Sequence, residues 1–262
     1  MLLAIDVGNT NTVFALYEGE QSLADWRIAT NTRRTADEYF VWLNHLMTLN
    51  RVDAQAITDV IIATVAPQTL FNLKTLARKY FNSEPLVIGE EGCDVGMEVR
   101  LTRPSEVGAD RIVNARAARS KYGANLIIVD FGTATTFDVV DADGAYAGGA
   151  IAPGVNLSLA ALEQAAAKLP RVAVDRPAKV IGDDTVSAMQ SGVYYGYIGL
   201  IEGVCRRIIA EHGRDMKVIA TGGLSPLFAA GTDSIDDVDD SLTMRGLVEI
   251  HALNRGNGRR ES

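Results

Sequence analysis

Three aspartates stand where phosphate chemistry could use them. Asp6 closes an aliphatic run and opens "DVGNT", Asp130 does the same in "DFGTATT", and Asp110 stands beside Arg111 in "EVGADR". Around the first, residues 2–5 read as a buried strand and 13–17 as its partner, with Gly8, Asn9, Thr10 and Asn11 supplying hairpin-turn chemistry. The backbone N–H groups of such a glycine turn form a concave donor site for anions. An acid beside it suits a nucleotide site in which a metal balances triphosphate charge. Taken alone, "DVGNT" is read equally well as an ordinary turn.

The turn occurs twice, however. An offset of 124 (130 − 6) lays Asp130 over Asp6, Gly132 over Gly8 and Thr136 over Thr12, with an aliphatic run before each aspartate and an apolar strand after each turn. A period this long points to a duplicated domain rather than a solenoid. Two such halves suggest one unit used twice around a cleft.

Asp110 and Arg111 lie at a predicted helix start, where the macrodipole favours an acid in any case. A capping acid with a surface arginine, and a working pair, carry equal weight on the residues alone. In the working pair Asp110 accepts a hydroxyl proton and Arg111 holds a carboxylate or phosphate through its planar fork. An aspartate at a helix start is expected to have a low pKa and be a weak base, which a loose phosphoryl-transfer transition state tolerates. A third glycine turn, Thr221, Gly222 and Gly223, follows the run "KVIAT" and leads to a helix read as capped by Ser225 with Pro226 first. Its glycines would let a flat ring approach the backbone. Neither GxxxxGK[ST] nor GxGxxG occurs.

The elements that must position these residues alternate between strand and helix. Thr35 and Glu38 form a capping box ahead of helically spaced Phe40, Leu43, Leu46 and Met47. A strand at 60–67 stopped by Pro67, a helix to about 80, a short strand in "EPLVIG" and a helix at 109–122 ending at Gly123 complete the first half. The second half reads as a hairpin, a strand at 146–151, and helices at about 155–168 and 185–212. A strand at 217–221 and a helix at 242–254 follow. Domains are therefore expected at 1–122 and 123–254, with 255–262 a disordered tail. Gly192, Gly196, Gly199 and Gly203 share one face of the long helix, each costing roughly 1 kcal/mol against alanine. A close backbone neighbour would explain them, whether in the core or across an interface. The acidic stretch 233–240 reads as a solvated loop rather than a metal site.

Bulk composition narrows the function classes. The 262 residues are 47% hydrophobic and 22% charged, as in an ordinary globular protein. A net charge of −8 makes the chain a poor partner for nucleic acid. Cys93 and Cys205 are isolated and His45, His212 and His251 scattered, so neither a disulfide framework nor a zinc set is expected. The N-terminus lacks the basic segment of a signal peptide, and no apolar run has membrane-spanning length. A cytoplasmic protein without membrane partners is expected.

With these pieces in place, the chain resembles the type III pantothenate kinases of the actin/sugar-kinase/Hsp70 superfamily. "DVGNT", "RTADEY", "EVGADR", "DFGTATT", "GGAIAPG", "AKLP", "GDDTVSAMQSG" and "TGGL" occur in that family's order over nearly the whole chain. The resemblance implies an α/β fold of two ribonuclease-H-like domains and ATP-dependent phosphorylation of pantothenate, the first step of coenzyme A synthesis. It implies that Asp6, Val7, Gly8, Asn9, Thr10, Asn11, Thr12 and Val13 form the first phosphate turn, with Asp6 organising Mg²⁺. Gly132 and Thr133 would form the second turn, and Asp130 would ligate a monovalent cation, K⁺ or NH₄⁺. Gly108, Ala109, Asp110, Arg111 and Thr185 would meet pantothenate, with Asp110 the base. Thr221, Gly222 and Gly223 would border the adenosine. A homodimer is implied too, which favours the interface reading of the glycine face. Leu101 and Arg103 depart from the family's "YxNPxEVGADR" pattern and imply a differently shaped pantothenate pocket. A kinase of another small alcohol and a non-catalytic ATP-binding regulator are the alternatives.

Overall fold

The computed structural model describes residues 1–165 and 170–258. Its first half runs β1 (Leu2–Val7), β2 (Asn11–Glu18), β3 (Gln21–Ala29), α1 (Ala36–Leu49), β4 (Asp59–Thr64), α2 (Leu70–Phe81), β5 (Leu86–Val87) and α3 (Ala109–Tyr122). The second runs β6 (Leu126–Phe131), β7 (Ala134–Val140), β8 (Tyr146–Pro153), α4 (Val155–Ala165), α5 (Thr185–His212), β9 (Lys217–Thr221), α6 (Ser225–Ala229), β10 (Asp237–Val238) and α7 (Leu242–Gly258).

The strands form two sheets of one design. The first has the order β3-β2-β1-β4-β5 and the second β8-β7-β6-β9-β10. In each, three strands form an antiparallel meander and two more add in parallel. The expected duplication is therefore a duplication of topology, strand for strand. Its register differs by one residue. Asp6 lies opposite Val13 and Ile5 opposite Phe14, whereas Asp130 lies opposite Thr136 and Val129 opposite Phe137. Gly8 N–H closes the first turn onto Asn11 O at 2.9 Å, but Gly132 N–H reaches only to Ala134 O, at 3.0 Å. The second turn is one residue shorter, so beyond it the offset falls to 123 (137 − 14). The counterpart of Thr12 is thus Thr135 rather than Thr136, and both are fully buried.

Helices cover both faces of the first sheet, which is why β1 reads as a continuous apolar run rather than an alternating one. Leu3, Ile5 and Val7 face Tyr39, Leu43 and Met47 of α1 and Leu73 and Leu76 of α2. The three α1 residues recur every four positions on one helical face. Leu2 and Ala4 point the other way, onto Val113 of α3 and Leu247 and Ile250 of α7. In the second sheet Ile127, Val129, Phe137 and Val218 pack on Tyr194, Ile198 and Ile201 of α5 and on Phe228 of α6. Each large side chain so buried contributes about 1.5–3 kcal/mol.

Caps fall where the residue types put them. Thr35 accepts from Glu38 N–H and Glu38 returns the bond to Thr35 N–H, closing the box that starts α1. Asp184 and Ser187 do the same for α5, whose 28 residues end at Gly213 with φ 73°. For α6 the expected cap differs. Ser225 is the first helical residue, and its hydroxyl donates back to Gly222 O at 2.7 Å.

Other differences have physical causes. β3 is an additional, edge strand in which half-buried Ala24, Trp26 and Ile28 alternate with exposed Asp25, Arg27 and Ala29. The acidic stretch is not a solvated loop. Asp237–Val238 is a strand, Asp236 Oδ2 accepts Val218 N–H at 2.7 Å, and buried Asp239 takes Lys121 Nζ at 2.8 Å and the Tyr122 hydroxyl at 3.0 Å. Contacts divide the chain into two compact units, one of 1–97, 102–117 and 242 onward, the other of 98–101 and 118–241. The expected boundary at 122 assigned α7 to the second half, but Leu247, Val248 and Ile250 bury it against the first sheet. α7 also continues through Gly258, into the segment expected to be disordered. Positions 166–168 of the helix expected at 155–168, and 259–262 of the tail, lie outside the described residues.

Candidate active site

In the first unit two of the expected groups meet at the C-terminal ends of β1 and β4. Asp6, one residue before the end of β1, lies between Val13 of β2 and Ala63 of β4. Val65, just past β4, donates its N–H to Val7 O at 3.0 Å. The same Val65 packs on Gly108, where an added Cβ would lie 3.6 Å from Val65 Cγ1. One residue thus connects the first turn to the segment carrying Asp110. Within the turn Asn9, Thr10 and Asn11 are exposed and Asp6, Gly8 and Val13 half-buried, so their side chains or backbone could meet a ligand. Val7 and Thr12 are fully buried.

Gly108 precedes α3, and its carbonyl accepts Ile112 N–H at 3.3 Å, the first bond of that helix. A Cβ there would fall 2.6 Å from Asp110 Oδ1, so only glycine leaves the carboxylate its position. Asp110 Oδ1 accepts Arg111 N–H at 2.8 Å. Burial pushes the Asp110 pKa above the ordinary aspartate value, while the Arg111 N–H and guanidinium pull it back only in part. This reverses the expected low pKa, because desolvation outweighs the favourable helix start. A raised carboxylate is the stronger base, the direction general-base work requires. Ala109 and Arg111 are half-buried beside it.

In the second unit the other turns meet in the same way at the ends of β6 and β9, where Asp130 lies opposite Thr221. Gly132 and Thr133 are exposed. Gly222 has φ 89°, and a Cβ on it would lie 2.7 Å from both Asp130 Oδ1 and Phe131 O. Gly222 is thus required by local crowding, whereas Gly223 is exposed and open to a ligand. Thr221 is buried and could offer only its backbone. Thr185 is the exposed first residue of α5 and lines an open groove of about 790 Å³ between α4 and α5, with Met189, Gly192, Gly196 and Tyr197.

Two residues absent from the expected set support the second turn. Gly154 donates its N–H to Thr133 O at 3.1 Å. Tyr197 of α5 donates its hydroxyl to Pro153 O at 2.6 Å and lies 2.7 Å from Ser158 Oγ. Gly154 stands in the quoted "GGAIAPG" run and could have been singled out there; nothing local to Tyr197 marks its role. Among the described residues no three His, Cys, Asp or Glu side chains gather as a metal-binding set. Magnesium carried on phosphates needs only one or two carboxylates, and Asp6 can supply one. No helix among the described residues is long and apolar enough to cross a membrane.

Comparison with known proteins adds the chemistry. A family model described as type III pantothenate kinase matches residues 2–207. A type III pantothenate kinase of Paramagnetospirillum magneticum is 60% identical over 254 residues, covering 97% of this chain and 98% of the relative. One from Rhodospirillum rubrum is 60% identical over 255 residues, covering 97% and 99%. Among solved structures, a conserved putative Baf family transcriptional activator from Campylobacter jejuni aligns with TM-score 0.61 at 20% identity, covering 97% of this chain and 99% of the other. A putative 2-dehydro-3-deoxygalactonokinase from Sinorhizobium meliloti aligns with TM-score 0.59 at 14% identity, covering 97% and 96%. At such identities the structural matches speak for the fold alone.

Proposed function

The chain belongs to the type III pantothenate kinase family, and from that premise we infer that it phosphorylates pantothenate with ATP, using Asp110 as general base. The reaction is the first step of coenzyme A biosynthesis. The single observation that best supports Asp110 is its half-buried place at the head of α3, where desolvation raises its pKa, next to Gly108, which Val65 ties to the first turn.

In this reading the pantothenate primary hydroxyl attacks the γ-phosphorus, its proton passes to Asp110, and the bridging oxygen leaves with ADP. Arg111 pairs with the substrate carboxylate, a bidentate match of the kind guanidinium favours. Gly108, Ala109 and Thr185 complete the acceptor side. Backbone donors of residues 6–13 and of Gly132 and Thr133 hold the phosphates, and Thr221, Gly222 and Gly223 border the adenosine. Asp6 would hold Mg²⁺ carried on ATP, and the ion would supply charge neutralisation at the phosphoryl oxygens. Asp130 would hold a monovalent cation, K⁺ or NH₄⁺.

The protein works in the cytoplasm as a homodimer joined through α5. Support comes from the glycine face: among the described residues a Cβ on Gly192, Gly196 or Gly199 would meet no atom within 4 Å beyond the helix's own backbone, so no close backbone neighbour among them explains these glycines. An apposed second α5 would. ADP release from ATP, Mg²⁺ and K⁺ that depends on added pantothenate tests the activity. ADP release that ignores pantothenate and answers to a sugar would replace it.

A further inference from the structure

The two sheets place different residues at one equivalent station. β3 ends at Ala29 opposite Asn11, and the next residue, Thr30, donates its N–H to Thr10 O at 2.9 Å. β8 ends at Pro153 opposite Ala134, and the next residue is Gly154, with its N–H on Thr133 O. Only the first station carries a side chain. Thr30 Oγ1 donates to Gly8 O at 2.8 Å and lies 2.9 Å from Thr12 Oγ1.

The direction of these bonds follows from counting protons. A carbonyl only accepts, so Thr30's one hydroxyl proton goes to Gly8 O. Thr12 must then donate to Thr30, which satisfies a fully buried hydroxyl. The relay runs Thr12 to Thr30 to Gly8 O. Because the peptide is planar and trans, fixing Gly8 O on the Thr30 side points Asn9 N–H the opposite way. The second turn has no such relay. Thr135, the counterpart of Thr12, has a buried hydroxyl without a hydrogen-bond partner among the described residues. A Cβ on Gly154 would fall 2.7 Å from Gly132 O and nearer still to Thr133 O, so the shorter turn itself fills the space.

We propose that Thr30 is a positioning residue for nucleotide binding, its hydroxyl holding the Gly8–Asn9 peptide so that Asn9 N–H faces the phosphates. This rests on residues 6–13 being the phosphate turn. Thr30 itself touches no substrate. Its loss weakens ATP affinity and leaves the acceptor side alone.

Calorimetric titration of the full-length protein with Mg²⁺–ATP tests this, with melting temperatures and the pantothenate KM measured alongside. Thr30→Val keeps the shape and removes the hydroxyl, and is expected to weaken ATP binding on the order of tenfold with the pantothenate KM unchanged. Thr30→Ser restores the hydroxyl and is expected to bind within about twofold of wild type. Thr30→Ala removes the same hydroxyl with less bulk and serves if the valine variant does not fold. ATP affinity equal to wild type in a folded Val or Ala variant overturns the proposal, as does a Ser variant as weak as Val. A wild-type protein that binds no ATP overturns the parent reading instead.

Discussion

Asp110 Oδ1 lies 2.8 Å from the Arg111 N–H, and that one bond does not offset the burial of the carboxylate. A folded pKa raised above the unfolded value means that the contribution to stability is fully present below the unfolded pKa of about 3.9, and is lost as pH rises through the folded value. Near neutrality the ionised Asp110 is therefore a burden on the fold. Asp110→Asn, uncharged at every pH, is expected to melt higher than wild type at pH 7, with the gap closing towards pH 4. Thermal melts across that range check it. An unchanged gap, or a variant that melts lower at pH 7, would show that burial does not raise this group.

Gly154 has no room for a methyl group, since a Cβ would strike Thr133 O and approach Gly132 O to 2.7 Å. Gly154→Ala must displace the second turn. ATP affinity is expected to drop on the order of tenfold or more, with the fold retained because the strain sits at the exposed end of the sheet. Calorimetry against ATP, with circular dichroism as control, reads both.

Gly196 is exposed on α5, and a Cβ there would meet no atom of another element within 4 Å among the described residues. Gly196→Leu should stabilise an isolated helix by roughly 0.5–1 kcal/mol. If two α5 helices meet in a dimer, the same leucine forces them apart. Light scattering is expected to give a dimer for wild type and a monomer for the variant. A dimeric variant would remove α5 from the interface.

Asp130 lies opposite Thr221 where the C-terminal ends of β6 and β9 meet. With a monovalent cation at Asp130, replacing K⁺ by Na⁺ is expected to depress turnover, and Asp130→Asn to abolish the difference between the two ions. Equal rates in K⁺ and Na⁺ for wild type would refute the assignment.

Much of the framework was legible because its signals are local. Thr35 with Glu38 marks a helix start on chemistry alone, and α5 follows the expected 185–212 span because Asp184 caps it and Gly213 ends it. The duplication was visible in the repeated acid–glycine turns. What escaped depends on contacts distant in sequence. The one-residue difference between the turns appears only in strand register, which moves the equivalence from Thr136 to Thr135. α7 sits on the first sheet through Leu247 and Ile250, which no composition shift announces. The helix start suggested a low Asp110 pKa, and burial, invisible in the residues around it, reversed the sign. Thr30 carries no motif; its role depends on β3 ending beside the first turn.

The central claim is that the Asp110 carboxylate takes the proton from pantothenate. Turnover of Asp110→Asn, measured by phosphopantothenate formation with ATP affinity determined on the same preparation, tests it most directly. The expected result is a loss of about 10²–10⁴-fold in turnover with ATP binding intact. A variant that forms product at near the wild-type rate would contradict it.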